Sequence, residues 1–380
     1  MQAQGEKKME IFENAYQGKR VLVTGDTGFK GSWLSIWLKL LGAQVIGYSS
    51  YLPSNPCLFS VCSVDKHIKH IKGDIRDFAA LRDVFKQYKP DYIFHLAAQP
   101  IVSKAFLDPK LTFETNVLGT VNILECMRKY LSDAVAVVIT SDKCYRNMEW
   151  SWGYRETDVL GGKDPYSASK ACAELVSFAY HSSFFNRTDR ALRMVTARAG
   201  NVIGGGDWAT DRLVPDCVRA WSRGKTVYVR NPKATRPWQH VLEPLSGYLW
   251  LGAKCAESNK LKGESFNFGP DYKMSKSVGE LIKTFSKYFS GTNNWKNSDQ
   301  KSATKECIFL KVSSDKALKY LDWYALLPFT DTIKMAAEWY EEYYKHKNTN
   351  RDMLKFTIKQ IEFYVSVAKK INLAWARERR

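Results

Sequence analysis

Arg20-Val21-Leu22-Val23-Thr24-Gly25-Asp26-Thr27-Gly28-Phe29-Lys30-Gly31 is the stretch from which the architecture follows. A short apolar run reads as a buried strand, and the apolar stretch to about Leu41 reads as a helix. Between them stand three glycines, each separated from the next by two residues. Glycine is required where a backbone turns through positive φ or approaches a ligand closely. The unpaired amides of the helix start can then receive a pyrophosphate. In strand-turn-helix context this is a dinucleotide-binding signal rather than a plain tight turn. Gly25, Gly28, Phe29, Lys30 and Gly31 are therefore candidate cofactor contacts.

Outward from that turn, apolar runs alternate with amphipathic ones. Further strands are predicted at Gln44 to Tyr48, His67 to Ile71, Tyr92 to Leu96, Ala134 to Thr140 and Arg193 to Ala199. Helices are predicted at Phe78 to Tyr88, Leu111 to Tyr130 and Pro165 to about Phe184. This alternation predicts an α/β fold, a doubly wound Rossmann-type parallel sheet with helices on both faces. It occupies residues 15–205, with a return of the chain at about 236–268. The less regular second half predicts a smaller mixed C-terminal substrate lobe, 206–235 and 269–345. Within 346–380, Leu354, Ile358, Ile361, Val365 and Ala368 recur at helical spacing. That stripe predicts an amphipathic helix from about Arg351 to Arg380, docked on the lobe or on a second subunit.

A length of 380 residues suits two domains, and 45% apolar with 25% charged residues excludes a disordered or fibrous chain. The formal charge of +18 suits an anionic partner or a lysine-rich surface. No run of 18 apolar residues predicts a membrane span, and Met1 to Lys19 lacks the apolar core of a signal peptide. No membrane partner is expected. Cysteines 57, 62, 126, 144, 172, 217, 255 and 307 are scattered without a C-x-x-C pair, so they read as the reduced thiols of a cytoplasmic protein. No H-E-x-x-H occurs, so no metal is expected. No nucleic-acid recognition motif accompanies the positive charge, and nucleic acid is not expected as a partner.

Two further motifs carry chemistry. Tyr166-Ser167-Ala168-Ser169-Lys170 places phenol and ammonium four residues apart, on one helix face. A neighbouring ammonium stabilises a phenolate and predicts a lowered tyrosine pKa. Thr140-Ser141-Asp142-Lys143 follows the fifth strand, where carboxyl ends of parallel strands face the ligand crevice. Ser141 can hydrogen-bond a substrate hydroxyl beside Tyr166. Asp142 and Lys143 add an acid/base pair that alcohol oxidation alone does not need.

The G-x-x-G-x-x-G spacing resembles that of extended short-chain dehydrogenases/reductases. Gly-Phe-Lys-Gly-Ser-Trp-Leu, Ser-Asp-Lys-Cys-Tyr, Asp-Pro-Tyr-Ser-x-Ser-Lys, Arg-Ala-Gly-Asn-Val-Ile-Gly-Gly-Gly-Asp-Trp and Arg-Pro-Trp-Gln-His-Val together resemble the CDP-glucose 4,6-dehydratase family, from about Arg20 to Tyr344. The resemblance implies NAD as cofactor, with Asp74 and Ile75 at the adenine and Leu96, Ala97, Ala98 and Gln99 in the loop after the fourth strand. It implies Asn116 as a helix-stabilising residue and Thr140, Tyr166 and Lys170 at the reactive end of the cofactor site. It implies Asn201, Arg212, Arg236 and His240 as holders of a nucleotide-sugar substrate. The implied reaction oxidises C4, eliminates water across C5 and C6 and returns the hydride to C6, with Ser141, Asp142, Lys143, Tyr166 and Lys170 catalytic. Lys143 stands where related dehydratases carry a glutamate base. Tyr48-Ser49-Ser50 lacks the acidic residue that often holds the adenosine ribose, which leaves NADP open, and Lys30 is a candidate for reaching a 2′-phosphate. A homodimer or higher homo-oligomer is expected. The rival readings are an epimerase or reductase of the same superfamily and a non-catalytic nucleotide sensor or nucleic-acid binder.

Overall fold

The computed structural model describes residues 9–187, 190–290, 294–298, 309–346 and 352–378. Cys307 and the first eight residues of the N-terminal segment lie outside them. Seven strands, β1 (Arg20–Thr24), β2 (Gln44–Ser49), β3 (Lys69–Lys72), β4 (Tyr92–His95), β5 (Asp133–Ile139), β6 (Ala191–Ala199) and β7 (Ser265–Phe268), form one sheet in the order 7-6-5-4-1-2-3. Every pairing in it is parallel. The order reverses between β1 and β4, which opens a crevice at the carboxyl ends of those strands. The six predicted strands all join this sheet, and Ser265–Phe268, in the expected return of the chain, is its seventh member.

The strand alternation divides the core into two layers. Val21 and Val23 of β1, with Val135, Val137 and Ile139 of β5, face one hydrophobic cluster. Leu22 of β1, with Ala134, Ala136 and Val138 of β5, faces the other. The first layer receives α1 (Phe29–Leu40) and the second receives α2 (Phe78–Tyr88). The long helix expected before β5 is three successive turns types: α3 (Pro109–Phe113), a π turn (Glu114–Leu118) and α4 (Gly119–Tyr130). Next, α5 (Pro165–Tyr180) begins where Asp164 caps it, accepting from the Ser167 amide at 2.9 Å, with Pro165 at the first helical position. Later come α6 (Leu213–Trp221), α7 (Leu242–Glu257), which is buried along most of its length, α8 (Val278–Phe285), α9 (Phe329–Lys345) and α10 (Met353–Lys370).

The last helix is shorter than expected, its buried face is wider, and it docks on α9 of the expected lobe as well as on α1. It ends at Lys370, and Asn372 follows with a φ of 58°. Its buried face is Met353, Thr357, Gln360, Ile361, Tyr364, Val365 and Ala368, while Leu354 and Ile358 are only half-buried. The face is widened because Tyr364 and Thr357 find partners inside. Tyr364 donates to Glu243 on α7 at 2.7 Å, and Thr357 accepts from the Trp339 indole on α9 at 2.9 Å. Trp375, just beyond the helix, stacks on Tyr364 at 5.7 Å and on Phe12 at 5.1 Å. The segment thus covers the sheet body near α1 within its own chain. The seven described cysteines are free, and among the described residues no helix is long and apolar enough to cross a membrane.

Candidate active site

The glycine turn between β1 and α1 is built for close approach. Gly25 has a φ of 76°, and a side chain there would press on the Ala97 backbone at 2.8 Å. A Cβ on Gly31 would lie 2.0 Å from the Gly25 carbonyl oxygen, and one on Gly28 3.1 Å from the same atom. Only glycines let this turn close on itself and leave the start of α1, capped by Gly28, open to a phosphate. The cradle fits a dinucleotide pyrophosphate. Leu96, Ala97 and Ala98 line the neighbouring strand end and are half-buried, while Asn116 ties that loop to α5. The Asn116 carbonyl oxygen accepts from the Gln99 amide at 2.7 Å, and its amide donates to Ser169 at 2.9 Å. Farther along the sheet edge, Asp74 is ion-paired with Arg76 at 2.7 Å, and Ile75 is buried.

Lys30 points away from the adenosine end. Its ammonium donates to the Tyr248 hydroxyl at 3.2 Å, and Asp142, Lys170 and Arg212 all act on its charge. Burial, then the Arg212 and Lys170 cations, push its pKa down to about 7, with Asp142 pulling the other way. The expectation that Lys30 serves a 2′-phosphate is therefore corrected. The first turn of α1 aims its side chain toward α7 and the end of β5.

At that end, Ser141, Asp142, Tyr166 and Lys170 are all buried, and Lys143 is half-buried. Ser141 donates to the Asp142 carboxylate at 3.0 Å and accepts from the Lys143 amide at 3.2 Å, and it acts on the Tyr166 phenol by lowering its pKa. One hydroxyl thus stands between the tyrosine and the acid. Burial raises the Asp142 pKa, opposed by Lys143, by the Ser141 hydrogen bond and by Lys30. A carboxyl that burial makes hold its proton more tightly than usual suits a proton donor. A Cβ on Gly200 would fall 2.8 Å from the Asp142 carboxylate, so the chain after β6 must be glycine here.

The predicted lowering of the Tyr166 pKa is not found. Burial pushes it up to about 12, with Ser141 lowering it and Asp142 raising it. Lys170 donates to the Ile139 carbonyl at 3.4 Å, and burial lowers its own pKa to about 8. Desolvation of the phenol outweighs what the Lys170 ammonium could contribute to a phenolate.

The substrate candidates separate. Asn201 is half-buried at the β6 end, and Arg212 before α6 pairs with Asp207 at 3.1 Å. Arg236 lies on a short strand, Thr235–Pro237, and donates to the Thr235 carbonyl at 3.0 Å. His240 is fully buried, its ring edge-on to Trp33 at 6.0 Å, and burial holds its pKa down at about 3. It packs against Trp33 of α1, and its Nε2 is buried without a hydrogen-bond partner among the described residues. Thr140 is likewise turned inward, donating to Glu174 rather than facing a ligand.

Sequence reasoning missed Glu174, Arg198 and Tyr248. Arg198 on β6 holds Glu174 with two bonds of 2.9 Å, and both side chains are almost fully buried. Burial opposes the Glu174 carboxylate, but Arg198 wins and keeps its pKa below the ordinary value. Glu174 follows Lys170 by four residues on the face of α5 that carries Tyr166, a spacing visible in the sequence. No sequence signal marks Tyr248, which faces Lys30 only because α7 packs beside α1.

Comparison with known proteins agrees with this geometry. Residues 22–336 match the model of the family described as GDP-mannose 4,6 dehydratase. The chain is 42% identical over 359 residues to the CDP-glucose 4,6-dehydratase of Salmonella typhimurium, covering 94% of this chain and 99% of that protein. It is 25% identical to the CDP-paratose 2-epimerase of Salmonella typhi, over 84% of this chain and 98% of that one. Among solved structures, an epimerase of Methanothermobacter thermautotrophicus superposes with a TM-score of 0.72 at 25% identity, covering 88% of this chain and 95% of that one. The dTDP-glucose 4,6-dehydratase of Streptomyces venezuelae, solved with NAD bound, shares the fold with a TM-score of 0.70 at 23% identity, over 85% and 97% of the two chains. A serine-linked tyrosine and aspartate at the edge of a doubly wound sheet, in a chain that matches these proteins nearly end to end, belongs to the family of nucleotide-sugar 4,6-dehydratases.

Proposed function

We propose that the protein is an NAD-dependent dehydratase that converts CDP-glucose to CDP-4-keto-6-deoxyglucose. The observation that carries the reading is the acid Asp142, which accepts from Ser141 beside Tyr166 and is followed by Lys143. An epimerase needs the serine and tyrosine but not the acid beside them, so this arrangement favours dehydration over the epimerase alternative.

Gly25, Gly28 and Gly31 would hold the pyrophosphate of NAD, with Leu96 to Gln99 beside it. NAD, when bound, supplies an acceptor that takes the C4 hydride and later gives it back to C6. Tyr166, in its phenolate form beside Ser141 and Lys170, takes the proton of the C4 hydroxyl. The ketone so formed acidifies the C5 proton, which Lys143 removes. Asp142 gives its proton to the C6 hydroxyl, which leaves as water. Lys143 would return the proton to C5, and the C4 hydroxyl proton held by Tyr166 would pass by way of Ser141 to the Asp142 carboxylate, so the chain and its cofactor end each cycle unchanged.

The cations Lys30, Lys143, Lys170 and Arg212 gather around this cleft and suit a diphosphate-bearing substrate, with Asn201, Arg212 and Arg236 as its holders. We read residues 15–205 and 236–268 as the cofactor body and 206–235 with 269–345 as the substrate lobe. A homodimer is proposed through α3, α5 and their flanks, where Leu107, Phe113, Leu118, Leu175 and Phe178 are exposed. The free cysteines suit a cytoplasmic enzyme. The test is a panel of CDP-, dTDP-, GDP- and UDP-hexoses, followed by mass for loss of water. CDP-glucose should have the highest kcat/KM, and loss of water from none of them would end the reading.

A further inference from the structure

The residues of the proposed chemistry sit on two separate elements. Ser141 opens the short turn Asp142–Cys144 after β5, and Tyr166 and Lys170 stand on α5. The spacing between turn and helix is set by what packs behind them, and there lies a buried ion pair, Glu174 of α5 with Arg198 of β6. Arg198 uses its whole guanidinium. Its Nε and Nη2 each donate to a Glu174 oxygen at 2.9 Å, and Nη2 also donates to Ser265 of β7 at 3.1 Å. Its Nη1 donates to the Tyr145 hydroxyl at 2.7 Å and to the Glu156 carbonyl at 3.1 Å. These five bonds satisfy the five donors of the fork. Glu174 also accepts from Thr140 on one oxygen, and from Thr196 of β6 at 2.7 Å and Ser265 at 3.2 Å on the other. The Tyr145 hydroxyl donates in turn to the side-chain carbonyl of Asn267 on β7 at 2.8 Å.

Two of these partners flank the catalytic segment. Thr140 immediately precedes Ser141, and Tyr145 immediately follows Cys144. Both ends of the segment are thus tied to the same ion pair. Glu174 lies one helical turn beyond Lys170, which itself donates to the Ile139 carbonyl at 3.4 Å. Lys170 on Ile139 and Glu174 on Thr140 therefore pin α5 to two successive residues at the end of β5. A buried ion pair adds little stability over an apolar core of the same shape. Its hydrogen bonds are directional, however, and a fully satisfied network rigidifies the groups it joins. We propose that Glu174 and Arg198 are positioning residues for the dehydration: acting through Thr140 and Tyr145, they hold the segment that carries Ser141, Asp142 and Lys143 in place against Tyr166 and Lys170. The proposal rests on the dehydration reading above.

Variants that delete one bond and keep the shape test it, because the ion pair itself stays in place. Thr140→Val removes the hydroxyl that Glu174 accepts from, and Tyr145→Phe removes the one that Arg198 reaches. With each variant shown to be folded by circular dichroism, kcat with CDP-glucose should fall about 10-fold or more, since a misplacement of about 1 Å costs on the order of 100-fold. Cofactor reduction in a single turnover and loss of water should both slow, because Ser141 and Tyr166 serve the first step and Asp142 and Lys143 the second. Affinity for CDP, measured by calorimetry, should stay within about two-fold, because the proposed substrate holders Asn201, Arg212 and Arg236 lie outside the segment. Thr140→Ser keeps the hydroxyl and should restore kcat. A merely structural role would lower Tm and leave kcat of the folded variants at the wild-type value, and that result in both Thr140→Val and Tyr145→Phe overturns the proposal. A fall in kcat matched by an equal fall in CDP affinity would show a general loosening of the cleft and overturn it too. So would a Thr140→Ser enzyme as slow as Thr140→Val, which would trace the loss to the methyl group and not to the bond. If Thr140→Val does not fold, Tyr145→Phe alone decides by the same two readouts. Failure of the wild-type chain to turn over any nucleotide sugar would instead refute the proposed function.

Discussion

Glu243→Gln should stabilise the protein in alkaline solution relative to its effect in acid. Glu243, in the first turn of α7, is 1% exposed. One of its oxygens accepts from the Leu326 and Leu327 amides at 2.9 and 2.7 Å, and the other from the Tyr364 hydroxyl at 2.7 Å. Burial outweighs these three donors and raises its pKa to about 7, against an ordinary 4.5. The folded chain thus holds the Glu243 proton more tightly than the unfolded chain does. The stability from that proton is complete below about pH 4.5 and declines as pH rises through about 7. At about 1.4 kcal/mol per unit, the full decline is about 3 kcal/mol. Glutamine has the same shape and no charge to bury. Its carbonyl oxygen can keep both amides, and its NH2 can face Tyr364 if that hydroxyl turns to donate to Ser246, 3.1 Å away. Thermal unfolding of both proteins at pH 5 and pH 8 is the assay, and comparing variant with wild type cancels every other titrating group. The Tm of the variant minus that of wild type should rise by a few degrees between the two pH values. A difference that is negative and flat with pH would mean that the three donors hold a carboxylate at both pH values, and the reasoning would fail.

Tyr166→Phe should abolish cofactor reduction while leaving nucleotide-sugar affinity within a few-fold, because only the ionisable hydroxyl is removed; near-normal turnover would end its assignment. Lys143→Met should still reduce the cofactor in a first half-reaction but stall elimination, and wild-type exchange of the C5 proton into deuterium oxide would show that another group is the base. Leu175→Asp combined with Phe178→Asp should halve the mass measured by light scattering if these exposed residues of α5 form the dimer contact. An unchanged mass would place the contact elsewhere. Truncation after His346 should lower Tm and promote aggregation, because it uncovers Phe12, Trp37 and the partners of Glu243. An unchanged Tm would contradict the packing described for α10.

What the sequence made legible was what short stretches determine alone. The glycine turn, the strand alternation and the Asp164-Pro165 helix start depend on neighbours a few residues away, and each was read at its place. In the C-terminal stripe Ile361, Val365 and Ala368 are buried as their spacing predicts, but apolar spacing ignores Tyr364 and Thr357, polar side chains that are buried on finding partners in α7 and α9. His240 shows the same limit from the other side. It lies in a motif that resembles a substrate-binding one, but whether a histidine faces a ligand or Trp33 is decided by how the chain returns past α1. The electrostatics were the least legible part, because they are set across the sheet. The phenol and ammonium of Tyr166 and Lys170 share a helix face, and spacing predicted that they would charge one another. Desolvation overrides that tendency in the folded chain, and the cationic partners of Asp142 come from Lys143 next to it and from Lys30, more than a hundred residues away. The chemistry of this site is thus carried by local motifs, but the proton affinities that let those motifs act are a property of the assembled cleft.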